Sequence, residues 1–125
     1  MTEIPEPTVR PTGYEVCCLP EDHPDAVFFA IEVEYRGDGR WTVVRNSRHL
    51  GVDGKWSYGY SWRDGSQEPQ TDEEFREARE GQDAWYQAHR FDLDTALELA
   101  KQHAPHVTVN RYSVADVIEH GKARS

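Results

Sequence analysis

The stretch VFFAIEVEYRGDGRWTVVRNSRHLGVDGKWSYGYSW, residues 27–62, alternates apolar and polar residues and is broken by glycine-containing turns. In its first half, a long strand ending near Arg36, every second residue is apolar and would share one face: Phe29, Ile31, Val33 and Tyr35. Such alternation is typical of an antiparallel sheet that is covered on one side only. The stretch therefore predicts a β-meander.

Two turns divide this predicted meander. The Gly-Asp-Gly sequence at residues 37–39 supplies the positive φ angles of a tight reversal, after which the chain returns through Trp41 and Val43. Asp53-Gly54 predicts a two-residue turn of type I′ between strands at 50–52 and 55–62. A further short strand at 13–19 brings the predicted number of strands to about five.

Helix signals follow residue 71. Thr71 and Glu74 form a predicted capping box, so a first helix begins after Thr71 and ends near Ala88. Gly81 is expected to weaken this helix by about 1 kcal/mol relative to alanine. A second helix, capped by Asp92 or Asp94, carries a narrow stripe of mainly small apolar residues: Leu93, Ala96, Leu97, Ala100 and Ala104.

The C-terminal region predicts one more strand and one more helix. Pro105 ends the second helix, the alternation of Val107 and Val109 predicts a last short strand, and Ser113 with Asp116 predicts a helix start. Strand signals thus precede helix signals. We predict an α+β fold, an about five-stranded, mostly antiparallel β-meander followed by two or three helices packed on one face.

A chain of 125 residues fits a single domain. We expect a flexible N-terminal arm at residues 1–12, which contain three prolines and little apolar surface, a single α+β domain at 13–120, and a frayed tail at 121–125. The adjacent cysteines Cys17 and Cys18 suit neither a disulfide nor a metal motif, so we expect both to be reduced and one to lie in the core.

The charge and hydropathy of the chain argue against several functions. The net charge of −9 opposes unspecific binding to phosphate backbones and to anionic membrane surfaces. No apolar run approaches the roughly 20 residues of a membrane span, and no secretory signal is recognised at the N-terminus. We therefore expect a cytoplasmic protein without membrane contact, for which nucleic-acid binding is disfavoured.

Four aromatic residues at alternate positions form the most conspicuous candidate site: Trp56, Tyr58, Tyr60 and Trp62. On a regular strand their four rings share one face. Two interpretations remain open at this point. The rings belong to the core beneath the helices, or they form a partly exposed stacking surface for bases, sugars or an apolar peptide.

Charge is also unevenly distributed along the chain. Six basic residues accompany two aspartates between Arg36 and Arg63, whereas seven acidic residues accompany two arginines between Glu68 and Asp83. The charges of both segments are explained if the basic segment forms a solvent-exposed face of the sheet and the acidic segment a solvent-exposed face of a helix. Alternatively, the basic turns bind an anion, or the acidic helix binds a basic partner through three candidate residues: Glu73, Glu77 and Glu80.

Signals for catalysis and for metal binding are weak. His103 and His106 flank Ala104-Pro105 and lie far from the cysteines in the sequence, so we predict no metal site and no cofactor. The GxSxG, P-loop, GxGxxG and HExxH motifs are missing. An acid/base set with a buried hydroxyl is conceivable for His89, Asp92 and Asp94, but helix capping accounts for both aspartates.

Several short motifs suggest a relationship to known sequences: Trp41-x-Val43, Leu50, Gly54, Trp56, Trp85-x-x-x-His89-Arg90-Phe91 and Ala104-Pro105-x-Val107-x-Val109-Asn110. This pattern, over residues 41–112, resembles a group of small uncharacterised proteins of actinomycete bacteria and their mobile elements. The resemblance implies a cytoplasmic, single-domain bacterial protein and no particular activity.

The function that the sequence favours is a small, acidic, non-catalytic module that binds another protein. Two alternatives remain, namely a small-ligand-binding protein or enzyme with a pocket at the aromatic strand, and a binder of single-stranded nucleic acid. A cleft that combines the aromatic residues with a convergent histidine or aspartate would favour the pocket, whereas a convex surface would favour the module.

Overall fold

Five short strands form one antiparallel sheet, in the same order in space as in the sequence. In the computed structural model, which describes residues 2–123 and the side chains of residues 2–119, they are β1 (Gly13–Val16), β2 (Ile31–Tyr35), β3 (Trp41–Arg45), β4 (Arg48–Leu50) and β5 (Trp56–Ser57). The predicted α+β fold, with an antiparallel meander followed by helices, is confirmed.

Helices and a small hairpin complete the described part of the chain: α1 (Ala26–Phe29), α2 (Asp72–Ala88), α3 (Leu93–His103), the hairpin of β6 (Thr108–Val109) and β7 (Tyr112–Ser113), and α4 (Val114–Ala123). Residues 2–12 are exposed and lie outside the helices and strands. The expected frayed tail overlaps the end of α4 at residues 121–123, and residues 124 and 125 lie outside the described residues.

The chain before β2 forms one turn of helix, where the sequence predicts a continuous strand. The register pairs Val16 at the end of β1 with Ile31, so the residues before Ile31 have no neighbouring strand to pair with. Their N–H groups are satisfied locally instead, since Phe28 donates to the carbonyl of Asp25. Phe29 is nevertheless buried beside Ile31, so the alternation identified the buried residues correctly.

Strand β1 is also shorter than the predicted strand at 13–19, because it ends at Val16. Cys17 is half-buried against the core, where its thiol donates to the carbonyl of Ala26 at 3.4 Å. Cys18 is exposed, and neither cysteine forms a disulfide. The expectation of one cysteine at the core is therefore met by Cys17.

The aromatic run does not continue as a strand. Only Trp56 and Ser57 pair with β4, and the chain then leaves the sheet through Gly59, whose φ is 138°. Trp62 begins a tight turn at Trp62–Gly65 in which Arg63 has a φ of 47°. The prediction of a strand at 55–62 with four rings on one face is wrong, because β4 has only 3 residues and offers no partner beyond β5.

The turn types also differ from those predicted. At Asp53-Gly54 only the glycine has a positive φ, and the Gly54 N–H donates to the Gly51 carbonyl at 3.0 Å. This is a longer loop that ends in a glycine bulge, so the prediction of a type I′ turn there is wrong. Turns with a positive φ at both central residues join β3 to β4 and β6 to β7: Asn46-Ser47 and Asn110-Arg111.

Helix α3 packs on one face of the sheet through its small residues. Ala96 and Ala100 are fully buried, in one cluster with Ile31, Val33 and Val43 of the sheet. Alanine side chains let the helix approach the strands closely. The predicted stripe is therefore part of the core.

Helix α4 adds to the same core. It begins with a reciprocal capping box, in which the Asp116 N–H donates to Ser113 Oγ at 3.1 Å and the Ser113 N–H donates to the Asp116 carboxylate at 2.9 Å. Val114 and Val117 pack against the buried cluster. The helix start predicted at Ser113 is confirmed.

Helix α2 is different, since none of its 17 residues is buried. Its start is as predicted, because Thr71 Oγ1 accepts a hydrogen bond from the Glu74 N–H at 3.1 Å. Only its C-terminal end reaches the sheet, on the face opposite α3, where Trp85 lies edge-on to His49. Within residues 2–123, no helix combines the length and the apolar character needed to cross a bilayer.

Candidate functional site

The four aromatic candidate residues occupy different environments. Trp56 is half-buried against the core, and Tyr60 is half-buried. Trp62 is only 8% exposed, whereas Tyr58 is 71% exposed. Because the chain leaves the sheet after Ser57, the rings do not share one environment: Trp56 packs against the core cluster, Trp62 is buried outside that cluster, and Tyr58 is exposed.

Trp56 and Tyr58 line a groove of about 460 Å³, at the end of α3 and beside the Asn46-Ser47 turn. We call this the basic groove, and its lining residues are Arg45, Asn46, Arg48, Trp56, Tyr58, His103, His106, Val107 and Thr108. None of these residues is acidic. The groove therefore concentrates positive charge in a chain whose net charge is −9.

Two arginines form one side of the basic groove. Arg45 and Arg48 are directly opposite each other on β3 and β4, an arrangement of like charges that is unfavourable unless an anion lies nearby. Arg45 Nη2 donates to the carbonyls of Phe28, at 3.0 Å, and Thr108, at 3.3 Å. Arg48 Nη2 donates to the Tyr58 hydroxyl at 2.9 Å. These contacts fix the positions of both guanidinium groups.

Arg45 also has an unpaired donor. Its Nε is buried and has no hydrogen-bond partner among the described residues. Burial lowers the pKa of Arg45, yet the guanidinium keeps its charge because arginine is not deprotonated in proteins. A buried, charged donor without a partner is unfavourable, and an anion in the groove is the kind of group that would satisfy such charge.

Two histidines form the other side. His103 is the last residue of α3 and lies edge-on to Trp56, with 5.7 Å between the ring centroids. His106 is exposed at the end of the 3₁₀ turn Ala104–His106. The part of the chain that the structure describes contains no group of three or more His, Cys, Asp or Glu residues placed to hold a metal ion.

A second polar cluster lies on the opposite face of β5. Ser57 Oγ is 3.3 Å from His89 Nε2, and His89 Nδ1 is 2.7 Å from the Trp85 carbonyl oxygen. Since a carbonyl only accepts, Nδ1 carries the proton and Nε2 is left as an acceptor for the Ser57 hydroxyl. The Trp85 ring is stacked on the imidazole with 4.0 Å between centroids, which fixes its plane.

His49 adjoins this pair. It is the cross-strand partner of Ser57, and both side chains point away from α3. Burial is the main cause that lowers the pKa of His49, and the positive charge of Arg36 adds to it. His49 Nδ1 is buried and lacks a hydrogen-bond partner within the described residues. We call Ser57, His89 and His49 the serine–histidine cluster.

Gly51 provides the space for this cluster. A Cβ atom at position 51 would lie 2.9 Å from His89 Nε2 and 2.8 Å from Asp53 Oδ1. The backbone of Gly51 is not in the left-handed region, so conformational freedom does not explain this glycine. The close approach of His89 does explain it.

The acidic candidates on α2 are partly neutralised within the chain. Arg63 lies 3.3 Å from a carboxylate oxygen of Glu77 and 3.3 Å from one of Glu74. Glu73 and Glu80 are exposed, and Phe75 is 52% exposed on the same helix. The structure therefore leaves a solvated acidic face on α2.

The acid/base set considered from the sequence is not assembled. Asp92 caps α3 by accepting a hydrogen bond from the Thr95 N–H at 2.8 Å, and this bond is the main cause that lowers the pKa of Asp92. Of that set, His89 alone meets a hydroxyl, that of Ser57. Comparison of the chain with family models, curated proteins and solved structures finds no match.

Proposed function

We propose that the protein binds a small ligand in the basic groove, one that joins an anionic group, phosphate or carboxylate, to a planar ring. The observation that carries this proposal is the convergence of two arginines, two histidines and two aromatic rings without any acidic residue. This is the first alternative left open by the sequence. A cleft with aromatic walls and convergent histidines favours it over the protein-binding module.

The chemistry of the groove matches such a ligand. Guanidinium groups bind phosphate or carboxylate through two parallel hydrogen bonds, and Arg48 is held beside the groove by its bond to Tyr58. The Arg48 guanidinium lies over one face of the exposed Tyr58 ring, 4.8 Å from its centroid, so the other face is the stacking surface for the planar part. A volume of about 460 Å³ lies within the range of roughly 300–1,000 Å³ that is typical of small-molecule sites.

The test compares phenyl phosphate with inorganic phosphate by isothermal titration calorimetry at low ionic strength. Phenyl phosphate is expected to bind more tightly, because only it carries a ring. Arg48→Ala is expected to weaken its binding by about tenfold to a hundredfold, since a charge-assisted hydrogen bond contributes about 1.5–3 kcal/mol. Arg79→Ala, which removes a surface arginine on α2, is the matched control and should leave the affinity unchanged.

Two results would contradict the proposal. One is the lack of saturable binding of either compound by the wild-type protein. The other is an equal loss of affinity in the Arg48→Ala and Arg79→Ala variants, which would indicate an effect of net charge and not of the groove.

A second function, binding of a basic partner protein by α2, is favoured by one observation. The helix has no buried residue along its length and exposes Phe75 among acidic side chains. A helix without buried residues contributes little to the core of the domain, so its surface is suited to contact another molecule. The candidate contact residues remain those named from the sequence: Glu73, Glu77 and Glu80.

This second function is tested by capture of partners from host lysate with the triple variant Glu73→Lys, Glu77→Lys and Glu80→Lys. The control is Glu3→Lys, Glu6→Lys and Glu98→Lys, which makes the same change in net charge at exposed positions elsewhere. A partner lost by the first variant and kept by the control supports the module. The same set of partners for both variants would contradict it.

A further inference from the structure

We propose that Ser57 is a nucleophilic serine, activated by His89, that accepts an acyl group from a carboxylic ester. The proposal is independent of ligand binding in the basic groove. Neighbouring residues on a strand point to opposite faces of the sheet, so Trp56 faces the groove and Ser57 faces away from it. The serine–histidine cluster is thus a separate site.

The hydrogen bonds of His89 are those of a general base. In the tautomer that the Trp85 carbonyl selects, its Nε2 is an acceptor, and it lies 3.3 Å from Ser57 Oγ. Its Nδ1–H is held by the Trp85 carbonyl at 2.7 Å, so a third group orients the base. Nucleophile, base and orienting group in this order form the arrangement that activates a serine hydroxyl, and the first distance is commonly longer before a substrate binds.

The position of the base is fixed from two further sides. Trp85 stacks on the imidazole at an interplanar angle of 15°. Gly51 leaves open the space into which Nε2 extends. The Val52 N–H also donates to the Ala88 carbonyl at 2.8 Å, so a backbone hydrogen bond joins the end of α2 to the loop between β4 and β5 independently of the Ser57–His89 contact.

His49 provides a site for the ester carbonyl. It lies opposite Ser57, where cross-strand Cβ atoms are about 4.5–5.5 Å apart, and its Nδ1 is buried without a partner in the described part of the chain. A neutral imidazole can donate one hydrogen bond to a developing oxyanion. The charges around His49 are mixed, since Arg36 and Arg90 are positive, whereas Glu34 is negative and forms an ion pair with Arg36 at 2.7 Å.

The reaction is an ester hydrolysis in two steps, and water is its only co-reactant. Ser57 Oγ attacks the ester carbonyl carbon, and its proton passes to His89 Nε2. The carbon–oxygen bond to the leaving group then breaks, and the departing alkoxide takes that proton and leaves as an alcohol. Water subsequently attacks the acyl-serine, with His89 accepting a proton from the water and returning it to Ser57 Oγ, so that the carboxylic acid is released.

The experiment treats the full-length protein with a fluorophosphonate probe, in which attack by serine forms a phosphorus–oxygen bond and expels fluoride. We expect one adduct per chain by intact mass, mapped to Ser57 by peptide sequencing. Ser57→Ala should abolish the adduct, and His89→Gln should slow its formation at least tenfold. Ser61→Ala, at an exposed serine four residues away, is the control and should react as the wild type does.

The wild-type result is decisive by itself, because it does not depend on how any variant folds. A wild-type protein that forms no adduct, or forms it at another residue, would overturn the proposal. Gly51→Ala provides a second variant, since its methyl group displaces His89 Nε2. An unchanged rate in both His89→Gln and Gly51→Ala, with circular dichroism showing folded proteins, would also overturn it.

Discussion

The ring of Tyr60 lies against Gly81 of α2, in the space that a Cβ atom at position 81 would occupy. The overlap involves the hydroxyl and two ring carbons, so a side chain there would force the whole ring to move. Seen as part of an isolated helix, this glycine costs stability. In the folded chain it allows the segment after β5 to contact a helix that has no buried residue.

We therefore expect Gly81→Ala to bring no gain in stability to the wild-type protein. In a Tyr60→Ala background the same substitution should stabilise by up to about 1 kcal/mol, because only the helix propensity then remains. Urea unfolding of the four proteins in this double-mutant cycle measures the difference. If Gly81→Ala raised the free energy of unfolding equally in both backgrounds, the proposed effect of the Tyr60–Gly81 contact on stability would be wrong.

The second prediction concerns acid stability. The pKa of His49 is lowered chiefly by burial, with smaller contributions from neighbouring charges: Arg36, His89, Glu34 and Arg90. The unfolded chain binds a proton at this position near pH 6.5, whereas the folded chain resists it, so unfolding takes up a proton below that pH. The stability due to neutral His49 is present above about pH 6.5 and is lost as the pH falls towards the lowered pKa.

His49→Phe keeps a ring beside Trp85 and removes this titration. We expect the wild-type protein to lose more free energy of unfolding between pH 7 and pH 5 than this variant does, as measured by urea unfolding at each pH. His106→Phe, which changes an exposed histidine, is the control and should lose as much free energy of unfolding between pH 7 and pH 5 as the wild type does. Equal losses of free energy of unfolding in the wild type and in His49→Phe would show that His49 is not the source of this pH dependence.

The third prediction concerns the acidic face of the first two strands. Glu15 and Glu32 are directly opposite each other. The pKa of Glu32 is raised first by a hydrogen bond with Glu34, then by burial, and then by the charges of Glu34 and Glu15. Glu15→Lys replaces the repulsion with an attraction, so it should stabilise by roughly 0.2–1 kcal/mol at neutral pH.

Urea midpoints at low salt and at 1 M salt measure this effect, which should shrink at the higher ionic strength. Glu3→Lys makes the same change in net charge in the N-terminal arm and should have little effect. An equal gain in stability in Glu15→Lys and Glu3→Lys would show that the effect comes from the net charge and not from the pair of Glu15 and Glu32.

The fourth prediction is that single-stranded DNA or RNA binds negligibly at about 0.15 M salt. Phosphate contacts supply most unspecific affinity, and the net charge of −9 opposes them. Trp41 and Trp62 are each only 8% exposed, so neither ring can stack on a base. Fluorescence anisotropy with a labelled oligonucleotide is the measurement. Binding tighter than about 10 μM, lost in Arg48→Glu and in Tyr58→Ala, would reverse this conclusion.

The sequence by itself determined those features whose hydrogen bonds and packing are local. The helix starts at Thr71 and Ser113 were predicted, and Asp92 was one of two predicted caps of α3, because a capping bond joins residues only three positions apart. The burial of Ile31 and Val33 was predicted because alternation identifies the covered face of a strand. Trp56 and Tyr58 were recognised as candidates from their spacing alone.

The tertiary structure decided where the strands end and which side chains meet. β5 is short because β4 offers few partners, so the length of a strand is set by its neighbour and not by its own alternation. Ser57 and His89 are 32 residues apart in sequence, and no local pattern indicates their hydrogen bond. The basic groove likewise requires the end of α3 to lie beside β5. Such contacts depend on the packing of the whole chain, because residues distant in sequence become neighbours only when the helices close on the sheet.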